Sequence, residues 1–533
     1  MQIAMKKQII ITLILIVATA YVTVVYFKNL NPPGMRTSQI MQAIPDNASL
    51  IFEFNNDKSF YSIFNDNPLF VSIIGKQKLD ELDTLKHLLF QNPSLEKYFA
   101  GQNLFISVHP TLANNLDIIL TTSSINGFDA SILEDLAKTP NSGFVVTPIK
   151  VTGKQGYNIY INSLKKRFYV LNKEDNIFSG SFSKELIDNS LNYKSSKDKK
   201  TFELLSEQQN ANSLANLYVN YNQISLLFDH LFQNKNNDIF KTLRQLPALA
   251  TLSLNYRNEA LMFNGSTIIN QDGPAGYLNL FINQQPVENH LKDIFPSTTA
   301  YSVNFGLSDP VKFSGDLSDW FDKTGFKKEK DELLNKVKAK TGAGFRKDFN
   351  KLIANEFAIV TTRYFEKFAI IAVKDGSKVK LLLSTISTMN DENSGQLNYD
   401  KLPFFLLGNP MNIFKRPYFT VIDNYLVFAN SMSELKSYNE TYINRKFLNK
   451  SDQFNQFENL LTERSNISYN INLKNVQPIL DRDMNNDIAE DIKNNEPGLK
   501  DFYALSVQLT STDKNFYTNV CLKLNTDTTE KKK

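Results

Sequence analysis

Cysteine is nearly missing from this chain: Cys521 is the single one in 533 residues. That excludes an intrachain disulfide framework and any thiolate metal cluster. Glycine (20) and proline (18) are scarce, which excludes collagen-like and low-complexity architectures. Neither sign of charge dominates, since 59 basic residues face 55 acidic ones for a net +4. A balance that even does not point to a nucleic-acid binder. Phosphate-cradling and serine-hydrolase frames are missing too: residues 340–345 carry Gly342 and Gly344 without the lysine-serine/threonine ending that a P-loop needs, and no G-x-S-x-G elbow occurs. Gly101, Gly153 and Gly156 form no dinucleotide fingerprint.

What is present is aromatic and apolar. Phe (40) and Tyr (22) are abundant and hydrophobic residues make up 42% of the chain, too much for a disordered polymer. At 533 residues the chain exceeds the roughly 250–300 residues at which one core stops growing, so two domains are expected.

Residues 9–27 hold no charge, proline or glycine. At 1.5 Å per residue they make a helix of about 28 Å, near the roughly 30 Å of a bilayer core. Lys6 and Lys7 precede the run, and Tyr21 and Tyr26 lie toward its far end. A cleavage site after Ala20 competes with an uncleaved signal-anchor, but the apolar run continues past it to Phe27, which favours the anchor. No cysteine follows, so a lipoprotein anchor is excluded. The expected topology has residues 1–8 in the cytoplasm, one span through the inner membrane, a tether at 28–37 and the rest outside.

Ordered blocks then recur with a nearly constant offset. Ile44-Pro45 leading into Ser49–Phe54 matches Phe295-Pro296 leading into Ala300–Phe305, 251 residues on. Strand-like runs at 104–108 and 116–120 match 357–361 and 368–372. Two further strands and a Ser-led helix at 167–186 match 416–435, with Ser183 and Ser433 as expected N-caps. Runs at 217–229 match 469–481, and 252–254 match 505–507, all with offsets of 249–253. The reading is a duplicated unit, with domain 1 at 38–270, a linker at 271–294, domain 2 at 295–525 and a frayed tail at 526–533. Contiguous hairpins predict an α+β fold with mainly antiparallel sheets and helices segregated to one face, after an N-terminal transmembrane helix.

The Pro-led strand opening each half, the Phe-rich hairpins ending in Ser before a helix, and the joining run Tyr277–Pro286 resemble an uncharacterised family of membrane-anchored proteins of Bacteroidota-type bacteria. That resemblance implies no activity, cofactor or catalytic residue.

Candidate chemistry is sparse. His87, His109, His230 and His290 never fall at ligand spacing. Cys521 lies in an apolar strand without an adjacent base. Asp481–Asp487 starts like a calcium loop, yet its sixth position is Asn486 and its twelfth Ile492. Basic runs at 165–167, 194–200 and 531–533 read as solvated loops that could touch anionic lipid. Acceptor triplets at Asn47, Asn439, Asn449 and Asn466 are expected by chance in so Asn-rich a chain. The sequence therefore predicts no catalytic, metal or cofactor site and no enzyme activity. It predicts a membrane-anchored envelope protein that binds or scaffolds other envelope proteins, with two alternatives: a lipid or hydrophobic-ligand carrier with an aromatic-lined cleft, and an envelope enzyme of unrecognised type.

Overall fold

The structure is a computed structural model. It describes residues 40–525 except 58–59, 62–68, 70–71, 74, 111–115, 126–127, 141, 152, 174–175, 192–212, 234–245, 247, 258, 270–275, 343 and 495–500. The apolar run 9–27, the tether and the tail lie outside the described residues. Among the described residues no helix is long and apolar enough to cross a membrane.

Alternating, β-branched and aromatic sequence produces the strands. In the first half these are β1 (Leu50–Asn55), β2 (Asn103–Pro110), β3 (Leu116–Ser123), β4 (Phe144–Val151), β5 (Lys154–Ile161), β6 (Lys166–Asn172), β7 (Ile177–Ser181), β8 (Ala215–Asn220), β9 (Ala248–Arg257) and β10 (Ala260–Ile269). In the second half they are β11 (Thr299–Gly306), β12 (Ile353–Thr362), β13 (Lys367–Val373), β14 (Ser387–Met389), β15 (Ser394–Leu397), β16 (Tyr418–Ile422), β17 (Tyr425–Ala429), β18 (Ile467–Asn472), β19 (Phe502–Ser511) and β20 (Phe516–Leu524).

All twenty belong to one antiparallel sheet. The pairings run 4-5-6-7-3-2-1-8-9-10 through the first half. From the other edge they run 14-15-16-17-13-12-11-18-19-20 through the second, the same order with ten added to each number. The halves join where β10 pairs with β20. Two separate sheets were expected; pairing of the last hairpin of each half merges them instead.

The join has local two-fold symmetry. Asn264 faces Asn519 across β10 and β20, and their amides lie 3.4 Å apart. Asn264 also faces Ser253, while Asn519 faces Gln508. Following facing residues outward gives a transverse row on one face of the sheet: Glu53, Asn216, Ser253, Asn264, Asn519, Gln508, Ser468 and Asn304. Every member is polar.

The two faces have separate cores. On the first face pack α1 (Lys76–Leu85) and α2 (Pro93–Phe99). In the second half this face carries α3 (Pro310–Lys323), α4 (Lys327–Thr341), α5 (Phe345–Leu352), α6 (Gly376–Ser384) and α7 (Leu402–Leu407). On the second face Ile40, Met41 and Ile44 cover Ile51, Phe105 and Tyr218. There α8 (Met432–Ile443) and α9 (Asp452–Glu458) cover Ala358, Val360, Phe368 and Ile370. Helices thus lie on both faces, not one. Strands such as β12 are buried on both sides, with Phe357 facing the first core and Ala358 the second, so each side needs a cover.

The expected linker packs as structure. Tyr277–Asn283 forms a buried 3₁₀ turn, and the Tyr277 hydroxyl donates to the Leu407 carbonyl at 2.5 Å. Gly408, at φ 88°, lets the Tyr277 ring lie where a Cβ would stand 2.1 Å away. The cap of helix α8 lies two residues before the expected one. Ser431 caps it, with Glu434 returning a bond to the Ser431 N–H, because the S-x-x-E box is framed on Ser431 rather than Ser433.

Among the described residues the sheet is open at both edges. At one, β4 carries Pro148 in mid-strand opposite Tyr157; at the other, β14 has three residues.

Candidate functional site

One difference between the halves lies on the first face, where β1, β2 and β3 meet α1. Strand alternation turns Phe52 and Phe54 of β1, Leu104 and Ile106 of β2 and Leu120 of β3 toward the helix. Leu79, Leu82 and Leu85 face them from α1 at helical spacing. Between these surfaces lies a cavity of about 410 Å³. A smaller lobe of about 60 Å³ shares Phe90, Leu104 and Leu120 and runs under Phe99, Phe168 and Phe178.

The second half fills the equivalent space. Register makes Leu104 equivalent to Phe357, since these residues face Phe54 and Phe305 respectively. Phe305 and Phe357 stack at 4.8 Å, and Phe281 closes on Phe305 at 5.3 Å. One strand further, Leu120 faces Gly180 where Ala369 faces Phe428. The first half has glycine where the second has a phenylalanine ring. Phe168 occupies part of the freed room, 2.4 Å from where a Gly180 Cβ would stand.

Helix α1 runs on into a π-helical turn, Lys86–Phe90, closed by the Gln91 N–H on the Lys86 carbonyl at 2.8 Å. Such single wide turns accompany functional sites often enough to note. Here the turn keeps Lys86 buried at the cavity wall. Its ammonium pairs with Asp83 and sits 5.1 Å over the Tyr61 ring. The Tyr61 hydroxyl donates to Asn56 Oδ1 at 2.6 Å. Burial, then the charge of Asp57, pushes that phenol well above its ordinary value, so it stays a donor. Lys76 and Asp80 complete a polar rim around an apolar interior. This is the pattern of a site that holds an apolar body and orients it by a few charged groups.

The residues singled out in sequence are not brought together. His87 is exposed beside Asp83 at 3.2 Å, and His290 lies 3.8 Å from Glu288. His230 lies in the helix Tyr221–Leu231. His109 alone makes a suggestive set: Nδ1 is 2.8 Å from Asn47 Oδ1 and Nε2 is 2.7 Å from Ser107 Oγ. The distances match a nucleophile, base and orienter. However, Ser107 and His109 are both 0% exposed, so no substrate reaches them. Cys521 is buried on the second face. Asp481 pairs with Lys493 and Asp483 with Arg482. Among the described residues no group of three acidic, histidine or cysteine side chains could hold a metal. Asn466 is wholly buried and donates to the Gln284 carbonyl.

No family model matches the chain, and no curated protein matches it. A solved structure titled "Structure of crystal form III of TP0453" aligns with 47% of this chain and 88% of its own, at 13% identity and a TM-score of 0.23. A likeness that loose carries no argument.

Proposed function

We propose that this chain is a non-enzymatic envelope protein whose first half holds the apolar chain of an amphipathic small molecule. The carrying observation is the asymmetry of equivalent positions. Where the second half stacks Phe357 on Phe305, the first half has Leu104 at the wall of a cavity of about 410 Å³, and where the second half has Phe428 the first has Gly180 at the adjoining lobe of about 60 Å³. The apolar tail lies along Phe54, Leu104 and Leu120. The head meets Lys76, Asp80 and the Lys86–Asp83 pair at the rim. The apolar run 9–27 tethers the chain to the inner membrane, with both halves outside. The shared strand order supports descent of the halves from one ten-stranded unit, of which the second copy became structural.

The test is native mass spectrometry of the full chain, repurified after exposure to an extract of bacterial membranes. A discrete lipid-sized adduct is expected, absent from Leu120→Trp, which fills the cavity. A clean apo mass for the wild type sinks the carrier reading and leaves scaffolding of other envelope proteins.

A further inference from the structure

One positively charged stretch lies within the helices of the second half. Residues 327–351 carry nine basic and four acidic side chains, a surplus of five, while the whole chain nets +4. This stretch comprises α4 and α5, joined at a tight corner where Gly342 adopts φ 67°. Lys330 is buried against Asp322 and Ser318. The cations of interest face outward.

Between α3, α4 and α5 runs an open groove of about 480 Å³. Leu334 and Phe345 give it an apolar floor. Lys338, Arg346, Lys347 and Lys351 line it, and no acidic residue does. Arg346 is held in place by Ser314, whose Oγ accepts its Nε–H at 3.0 Å and an Asn350 Nδ2–H at 2.6 Å. Lys351 has Asp348 at 3.7 Å. Lys338 and Lys347 pair with no acid among the described residues. At the groove's end Val311 stands 62% exposed in the first turn of α3, an apolar tip beside a ring of cations.

We infer that this groove docks the second half onto an anionic phospholipid bilayer. Charge complementarity selects the occupant. Four cations without a lining acid suit headgroups of net negative charge, and an exposed valine among them suits the acyl boundary just beneath. A zwitterionic surface carries no net negative charge and so attracts the cations far less. The inference stands on different residues from the cavity of the first half and survives if that reading fails.

The experiment places an environment-sensitive fluorophore at Val311→Cys in the full chain; buried Cys521 is protected from labelling. The labelled protein is mixed with vesicles of phosphatidylcholine alone or with phosphatidylglycerol. Position 311 reports the groove and not the apolar run 9–27. A blue shift confined to the phosphatidylglycerol vesicles is expected. It should be lost in 1 M salt, where screening shortens to about 3 Å. The variant Lys338→Glu/Lys347→Glu/Lys351→Glu should weaken the partition about a hundredfold or more, with its circular dichroism unchanged. An equal shift on both vesicles, no shift on either, or full retention by the triple variant overturns the inference. So does reversal by millimolar inorganic phosphate, which would mark a small-anion site instead.

Discussion

Glu53 and Glu356 occupy exchanged positions in the two halves. Glu53 of β1 accepts from Asn103 of β2 at 2.7 Å; in the second half the equivalent β1 position is Asn304 and the equivalent β2 position is Glu356, at 3.0 Å. The carboxylate and the carboxamide have traded strands, and the bond between them is kept. Each carboxylate is buried and collects further donors: Asn216 and Tyr218 at Glu53, the His290 and Leu291 amides at Glu356.

That exchange predicts a double-mutant result. Asn304→Glu alone sets two buried carboxylates against each other and should cost about 3–5 kcal/mol, since neither can be neutralised by its neighbour. Adding Glu356→Asn recreates the arrangement of the first half and should restore most of the loss. Urea unfolding of the four species measures the coupling. Additive effects would show that the two residues do not act as a pair.

Glu356 also predicts a pH dependence. Burial, outweighing its hydrogen bonds, raises its carboxyl above the ordinary 4.5. The folded state therefore binds a proton more readily than the unfolded one, and stability falls as pH rises from 4.5 through the raised value. Glu356→Gln removes this slope. Wild type should gain on the variant as the solution is acidified toward 4.5, followed by chemical denaturation at each pH.

Lys173 gives the opposite window. Burial, and then Lys154, depresses its ammonium from 10.5 to about 8. The unfolded chain holds the proton longer, so the group adds stability as pH climbs from about 8 to 10.5. Thermal melts should show wild type improving relative to Lys173→Met across that interval and running parallel to it below pH 7.

The cap on α8 separates two neighbouring serines. Ser431→Ala loses the hydroxyl half of the capping box, while the backbone N–H that donates to Glu434 remains, and should cost about 1 kcal/mol. Ser433→Ala should change stability by a few tenths of that. Equal losses would show that the box does not hold the helix start.

Around Tyr277 the fit is tight enough for substitution to be costly. A methyl group on Gly408 meets the ring and demands an unfavourable φ, so Gly408→Ala should destabilise by about 2–4 kcal/mol. Tyr277→Phe leaves the Leu407 carbonyl buried without its donor, at about 1–3 kcal/mol. Denaturant midpoints check both.

Much of the antiparallel architecture was legible because hairpins leave local signals. The runs expected at 104–108 and 116–120 lie within β2 and β3, which pair directly. What escaped was non-local. The second-face cover comes from short pieces, such as Leu291–Ile294 and α9, that carry no periodicity long enough to read. The apolar run within 277–283 already allowed that the linker packs, but its partners, Leu407 and Phe305, lie far along the chain and leave no local signal. The smaller lobe was hidden by a slip of one residue. Matching 177–183 with 426–432 sets Gly180 beside Ala429, small against small. Strand register sets it beside Phe428, and only then does the missing ring show. With a side-chain period of two, one residue turns a position to the other face.

Pro148 decides how far the sheet can grow. An open sheet of twenty strands is a template at each end, and a neighbouring molecule could extend it indefinitely by adding its own edge. Pro148 brings no N–H to such an addition, and its ring stands where an incoming backbone would close up. The opposite end, with three residues in β14, is too short to hold a new strand. Growth of the sheet by backbone pairing is disfavoured at both ends, so the edges of this fold do not template further strands.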